Sequence, residues 1–208
     1  MDLFSSNHQP SAKTLPAWQE LSPGQVRHVP QAFAKTRADE VLKALLRDVS
    51  WRQDHMRLYG KQVALPRLSA WYGDLGMRYT YSGIALEPTT WTPLLLELKA
   101  RVEAAAETTF NSVLLNRYRS GADYIGWHTD AERSLGEDPI IGSVNFGAER
   151  RFLLRRRSDH SSKYAYALGH GSILVMGRGV QQRWQHAVPK TAKRIGERIN
   201  LTFRTINA

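Results

Sequence analysis

Residues 126–136 read GWHTDAERSLG, and within them His128 and Asp130 stand two positions apart. In an extended strand, residues i and i+2 project from one side, so an imidazole nitrogen and a carboxylate oxygen can address the same ion. His186, in WQHAVP, follows a strand-like run, precedes a proline-marked turn, and supplies a third ligand. A two-histidine, one-carboxylate face leaves adjacent coordination positions open for a chelating cosubstrate and O2, as an Fe(II) oxygenase requires. The competing reading is a polar loop whose histidine caps or meets solvent, because a His-x-Asp pair recurs by chance. His8, His28, His55 and His160 sit in polar stretches and His170 in a Gly-His-Gly turn, so all five read as structural or exposed. The chain has no cysteine, which excludes disulfides and any thiolate zinc or iron–sulfur site.

The stretch RINLTFR alternates strictly: Arg198, Asn200, Thr202 and Arg204 face one way, and Ile199, Leu201 and Phe203 the other. A strand with two guanidinium groups on one face of an otherwise apolar sandwich is costly unless an anion meets them. A small dicarboxylate fills that need; an arginine face open to solvent or phosphate is the other reading.

These residues need a scaffold. Residues 1–24 mix Ser, Pro, Gln and Gly without apolar period and read as a flexible tail. RADEVLKALLRDV predicts a helix over 37–48, with Val41, Leu42, Leu45 and Val49 on one face. A second helix follows TTWTP, where Thr92 can cap and Pro93 can start the first turn, and its stripe is Leu94, Leu95, Leu98, Val102 and Ala105. From residue 111 the texture changes to short β-type runs: SVLLNRY, IIGSVNF, RRFLLRR, YAYAL, SILVM and RINLTFRTI. Few helical patterns separate them, so an antiparallel sandwich or jelly roll is expected rather than a parallel α/β sheet. The class is α+β, mainly β, with residues 25–208 as one domain buttressed by the N-terminal helices.

Lys and Arg outnumber Asp and Glu by 29 to 19, a net charge of +10 that favours polyanionic partners. No apolar run approaches the roughly 18 residues of a membrane span, and the start MDLFSSNHQPSAK lacks the marks of a secretory signal. A soluble intracellular protein is expected, cytoplasmic, or nuclear in a eukaryote, with no membrane partner.

NRYRSGADYIGWHTDAE, WQHAVPK and RINLTFRTI, preceded by PRLSAWYGD and YTYSG, resemble in order and spacing the AlkB family of Fe(II)- and 2-oxoglutarate-dependent nucleic-acid dealkylases. The resemblance spans about residues 55–206 and is nearest to the DNA-repair members. It implies the double-stranded β-helix, a jelly roll, with iron held by His128, Asp130 and His186 and no catalytic residue beyond these ligands. It implies that Arg198 and Arg204 hold 2-oxoglutarate, that Asn116 and Tyr118 add hydrogen bonds, and that O2 is the other cosubstrate. Which arginine takes which carboxylate stays open, with Arg198 favoured for the end remote from iron.

On the substrate side the resemblance implies a nucleotide-recognition segment at about 50–90, where Tyr79 and Tyr81 line a base pocket. The resemblance also implies that Glu132 is directed at the exocyclic amine of a cationic lesion. By the same likeness Leu58, Tyr59 and Gly60 would form a wedge for duplex substrates, and the basic Lys190, Lys193 and Arg194 can contact phosphates. The run holding Arg150, Arg151, Arg155, Arg156 and Arg157 either contacts phosphates or is a solvated basic face. The implied activity is oxidative demethylation of N1-methyladenine and N3-methylcytosine in alkylated DNA, with RNA also open, releasing formaldehyde and succinate, by a monomer. A protein side-chain hydroxylase on the same fold, or a non-catalytic nucleic-acid-binding module, are the alternatives.

Overall fold

The β-type runs downstream of residue 111 all form strands, and a computed structural model gives their order. It describes residues 15–58, 60–76, 79–81, 84–86 and 88–207, with the backbone alone for 56–58, 79–81 and 84–86. The first half of the chain holds β1 (Gln19–Glu20), β2 (Gln25–Val29), α1 (Lys35–Asp48), β3 (His55–Leu58), β4 (Lys61–Ala64), β5 (Leu68–Gly73), β6 (Tyr79–Tyr81), β7 (Ile84–Leu86) and α2 (Pro93–Ala106). The second half holds β8 (Ser112–Tyr118), β9 (Ile125–His128), β10 (Ile141–Gly147), β11 (Arg150–Arg156), β12 (Lys163–Leu168), β13 (Ser172–Met176), α3 (Val180–Arg183), β14 (Trp184–Val188) and β15 (Arg198–Arg204).

A seven-stranded sheet runs β1-β2-β13-β10-β15-β8-β5 and a four-stranded sheet runs β12-β11-β14-β9, with antiparallel pairing throughout. Together they form the expected jelly roll. Two apolar layers hold it. In the outer layer, Val41 and Leu45 of α1 and Leu98 and Val102 of α2 pack with Val144, Phe146, Ile199, Leu201 and Phe203 of the large sheet. In the inner layer, Leu154, Trp184 and Val188 of the small sheet meet Ile141, Leu174 and Met176 of the large one. Each such side chain contributes about 1.5–3 kcal/mol on burial. The strict alternation of β15 therefore sends its apolar residues toward the helices and its polar ones into the space between the sheets.

The helices form as their sequence signals predict. Thr92 Oγ1 accepts the Leu95 amide hydrogen at 3.2 Å, with Pro93 in the first turn. α2 lies close on β10, because a Cβ on Gly142 would collide with Val102 and crowd Phe110. α1 starts at Lys35, two residues before the expected boundary, where Lys35 pairs with Asp39 one turn on at 2.7 Å.

The chain also joins the fold before residue 25. β1 pairs with β2, Leu21 is buried, and Trp184 Nε1 donates to the Pro23 carbonyl at 2.6 Å. A two-residue strand is too short to show a period, so composition alone does not reveal it. Within residues 50–90, the β3–β4 and β6–β7 hairpins form two small sheets of their own. Among the described residues, no helix is long and apolar enough to cross a membrane.

Candidate metal and cosubstrate site

His128 ends β9 and His186 lies directly opposite it on β14, so the antiparallel register brings the two imidazoles together, with ring centroids 4.1 Å apart. Asp130 follows β9 by two residues. Its Oδ1 is 4.0 Å from His128 Nε2 and its Oδ2 is 3.9 Å from His186 Nε2. Donor atoms of the three residues all lie within 4.8 Å of one another, the spacing of one ion's ligands rather than of a solvated loop. His128 Nδ1 meets the Gly126 carbonyl at 2.8 Å, which turns Nε2 toward its neighbours.

The protonation states suit a cation. Burial pushes the His186 imidazole down to about 3, with the adjacent His128 adding to the effect, so its nitrogen lone pair is free at neutral pH. Burial alone would raise the Asp130 carboxyl, but Arg204, His186 and His128 outweigh it and hold it below the usual carboxylate value. Arg204 Nη2 donates to Asp130 Oδ1 at 3.0 Å. Phe152 stacks on the His186 ring at 5.3 Å, closing that side with apolar surface.

A cavity of about 440 Å³ opens beside the three residues, lined on β15 by Arg198, Asn200, Thr202 and Arg204. The four polar residues of the last strand thus share one chamber. Arg198 is 1% exposed, and its Nη2 donates to Asn145 Oδ1 at 2.6 Å, while its Nε and Nη1 have no hydrogen-bond partner among the described residues. Arg204 Nε is likewise buried without one. Burial lowers the Arg198 pKa, with the Tyr118 hydroxyl opposing. Unpaired guanidinium hydrogens inside a protein are costly, and an anion would satisfy them. Tyr118 lies across from Arg198 in register and its ring faces the guanidinium at 4.8 Å. Asn116 also lines the cavity; its Oδ1 accepts from Arg67 Nε at 2.7 Å, which leaves its amide hydrogens for a ligand. Arg204 thus engages Asp130 through Nη2 while its buried Nε has no partner among the described residues.

The other expected residues divide. Glu132 lines the cavity mouth just before the Arg133–Leu135 turn. Tyr79 and Tyr81 form the ends of β6, in register with Leu86 and Ile84. Leu58 ends β3 and Gly60 occupies the turn with φ +78°, whereas Tyr59 and His8 lie outside the described residues. Lys190, Lys193 and Arg194 are exposed on the loop after β14, with the Lys190 ammonium 4.5 Å from the Tyr124 ring centre.

Arg150 is a correction. It points inward, 3% exposed, and donates to the carbonyls of Ser120, Asp123 and Pro189 at 3.2, 2.9 and 2.6 Å, so it cannot contact a phosphate. Among the lesser histidines, His170 ties Gly147 N to Asp39 as a structural residue should, whereas His55 borders the cavity.

Several contributing residues escape motif reading. Asn145, buried in the apolar run of β10, accepts from both Arg198 and Asn200. A polar residue in a strand that otherwise reads as buried was its signal. Arg67 orients Asn116, and Asp54 accepts from Ser69 Oγ in the same wall of the cavity. Gln181 accepts from the Asp130 amide at 2.9 Å, and no local pattern announces it.

Comparison with known proteins agrees with this geometry. The family described as "2OG-Fe(II) oxygenase superfamily" matches residues 25–204. The chain is 43% identical over 178 residues to the mouse alpha-ketoglutarate-dependent dioxygenase alkB homolog 3, covering 81% of this chain and 62% of that protein. It is 39% identical over 184 residues to the human DNA oxidative demethylase ALKBH2, covering 84% of this chain and 70% of that protein. The chain thus spans about three fifths of the length of the alkB homolog 3 relatives. The structure of OsALKBH1 superposes with a TM-score of 0.61 over 86% of this chain and 97% of that one at 19% identity, a likeness of fold.

Proposed function

The chain belongs to the 2OG-Fe(II) oxygenase superfamily, in its AlkB branch, and from that premise we propose that it is an Fe(II)- and 2-oxoglutarate-dependent dioxygenase that demethylates N-alkylated bases in DNA. One observation carries the reading: the His128–Asp130–His186 group and the half-paired Arg198 share one cavity. The donor set fits Fe(II), being two imidazole nitrogens and one carboxylate on one side of an open chamber. Bound together, iron, 2-oxoglutarate and O2 would hydroxylate the N-methyl group, yielding succinate and CO2 from the cosubstrate and formaldehyde from the adduct.

The chain's own residues do the rest. His128 and His186 present Nε2 from two paired strands, and Asp130 offers Oδ2 while Arg204 occupies Oδ1. Arg198 would take one carboxylate of 2-oxoglutarate at the end of β15 remote from Asp130, with Tyr118 and Asn116 donating beside it. Phe152 and Ile125 give the chamber apolar walls that exclude water. At the mouth, Glu132 would favour the positive charge of N1-methyladenine or N3-methylcytosine. Tyr79 and Tyr81 would stack the flipped base, and the Leu58–Tyr59–Gly60 turn would wedge a duplex. Lys190, Lys193 and Arg194 would hold phosphates. The protein acts as a monomer inside the cell, and RNA carrying the same lesions is a second substrate, because a base pocket with a basic rim suits both backbones.

The test is mass spectrometry of matched DNA and RNA oligonucleotides carrying either lesion, with and without Fe(II) and 2-oxoglutarate. Demethylation coupled to succinate release is the expected result. Succinate formed with peptides but not with methylated oligonucleotides would make the protein a side-chain hydroxylase; none with any substrate would leave a binding module.

A further inference from the structure

Two of the three proposed ligands are fixed by strand pairing, since His128 and His186 face each other across β9 and β14. Asp130 has no such support, because it lies past the end of β9 in irregular backbone. Its carboxylate is steered by Arg204, but a carboxylate is placed only as well as its own main chain is.

That main chain is held from a distance. The Asp130 amide donates to Gln181 Oε1 at 2.9 Å, a buried bond between residues 51 positions apart. Gln181 is 1% exposed, and its Nε2 is spent on Met176 Sδ at 3.4 Å, so the carboxamide is fixed at both ends. It comes from α3, the four-residue helix that leads directly into β14 and His186. α3 is itself anchored: Gly179 N donates to Asp138 Oδ1 at 2.7 Å and Gln182 Nε2 donates to the Glu137 carbonyl at 2.9 Å.

We infer that Gln181 is a positioning residue for the metal site, fixing the backbone of Asp130 to the segment that carries His186 so that the carboxylate and the second imidazole keep one spacing. The inference rests on the proposed metal site. Gln181 touches neither ion nor substrate; it acts through the Asp130 amide.

The experiment titrates the metal-free protein with Mn(II), followed by electron paramagnetic resonance, in the parent, Gln181→Met, Gln181→Glu and His128→Ala proteins. Methionine fills the space of glutamine but offers no amide acceptor of comparable strength, whereas glutamate keeps the oxygen. Gln181→Met should weaken Mn(II) binding by about 10-fold or more, as loss of an orienting bond behind a ligand does, and Gln181→Glu should recover most of it. Thermal unfolding is measured alongside, since a merely structural residue would lower the Tm of the methionine variant without moving the Mn(II) affinity of the folded protein. Methionine and glutamate variants that bind Mn(II) equally well, or equally poorly, would overturn the inference. If Gln181→Met does not fold, a glutamate variant that folds with parental affinity supports the inference and one that folds but binds 10-fold more weakly refutes it, on the same scale of effect. Parent protein that binds no Mn(II), or binding that survives His128→Ala, would instead sink the metal site itself.

Discussion

Two buried arginines lie against the ring of Tyr118, with guanidinium carbons 5.6 Å away for Arg150 and 4.8 Å away for Arg198. Arg150 gives its hydrogens to three backbone carbonyls and knits the Ser120–Asp123 loop to the end of β14. Arg198 donates through Nη2 to Asn145, with the Tyr118 hydroxyl close by, and among the described residues its Nε and Nη1 have no hydrogen-bond partner beside the cavity. Burial depresses both pKa values, so titration does not separate them. What separates them is how many donors are satisfied. The fold engages both terminal nitrogens of Arg150, whereas Arg198 keeps one of its terminal nitrogens for whatever enters the cavity.

That contrast can be tested from its strongest consequence downward. Asp130→Ala removes the one acid that Arg204 engages in the chamber, and it should cut 2-oxoglutarate turnover by about 10³-fold or more, measured as succinate release, with a folded circular dichroism spectrum. Arg198→Met should weaken 2-oxoglutarate binding by about 100-fold in isothermal titration while leaving Tm unchanged or higher, because an incompletely paired buried charge is removed. Asn145 Oδ1 keeps its bond from Asn200 in that variant. Arg150→Met should do the reverse: cosubstrate affinity is retained, but orphaned carbonyls cost about 3 kcal/mol, lowering Tm by roughly 10 °C. If Arg150→Met proves the more damaging to cosubstrate binding, the contrast fails.

Smaller effects sharpen the same picture. Stability of the metal-free protein should fall as pH drops from about 6.5 toward about 3, because in that window the unfolded chain protonates His186 and the folded one resists it. Asp130, whose folded pKa is lowered, adds a loss below its ordinary value of 3.8. Thermal melts with chelator between about pH 7 and about pH 4 read this directly. Lys193→Ala, on the exposed loop, should change neither melt nor cosubstrate affinity, but should reduce the salt slope of oligonucleotide binding by about one.

The sequence made the strand carrying Arg198 legible because a period of two is short enough to read within seven residues. The ligand pair His128 and Asp130 was legible from its His-x-Asp spacing, although Asp130 lies past the end of β9 rather than on the expected strand, and His186 was reached through its strand context and family likeness. Arg150 was misread as part of a basic cluster, although parity argued otherwise: it alternates in step with Phe152 and Leu154, both inward, and out of step with exposed Arg151. The bond from Gln181 to Asp130 was beyond reach, because it joins two irregular or very short segments whose meeting depends on the whole sandwich. The hairpins of residues 50–90 were not legible as strands, since small two-stranded sheets carry little core pattern; the resemblance marked only a nucleotide-recognition segment there.

β9 is the outermost strand of the small sheet and pairs on one side only, with β14. An ion gripped by His128 from one and His186 from the other would act as a rivet through that last seam. Occupancy should then be written into the amides of residues 125–128, slow to exchange with deuterium when the rivet is in and quicker when it is out, which makes the edge of the sheet a gauge of whether the site is loaded.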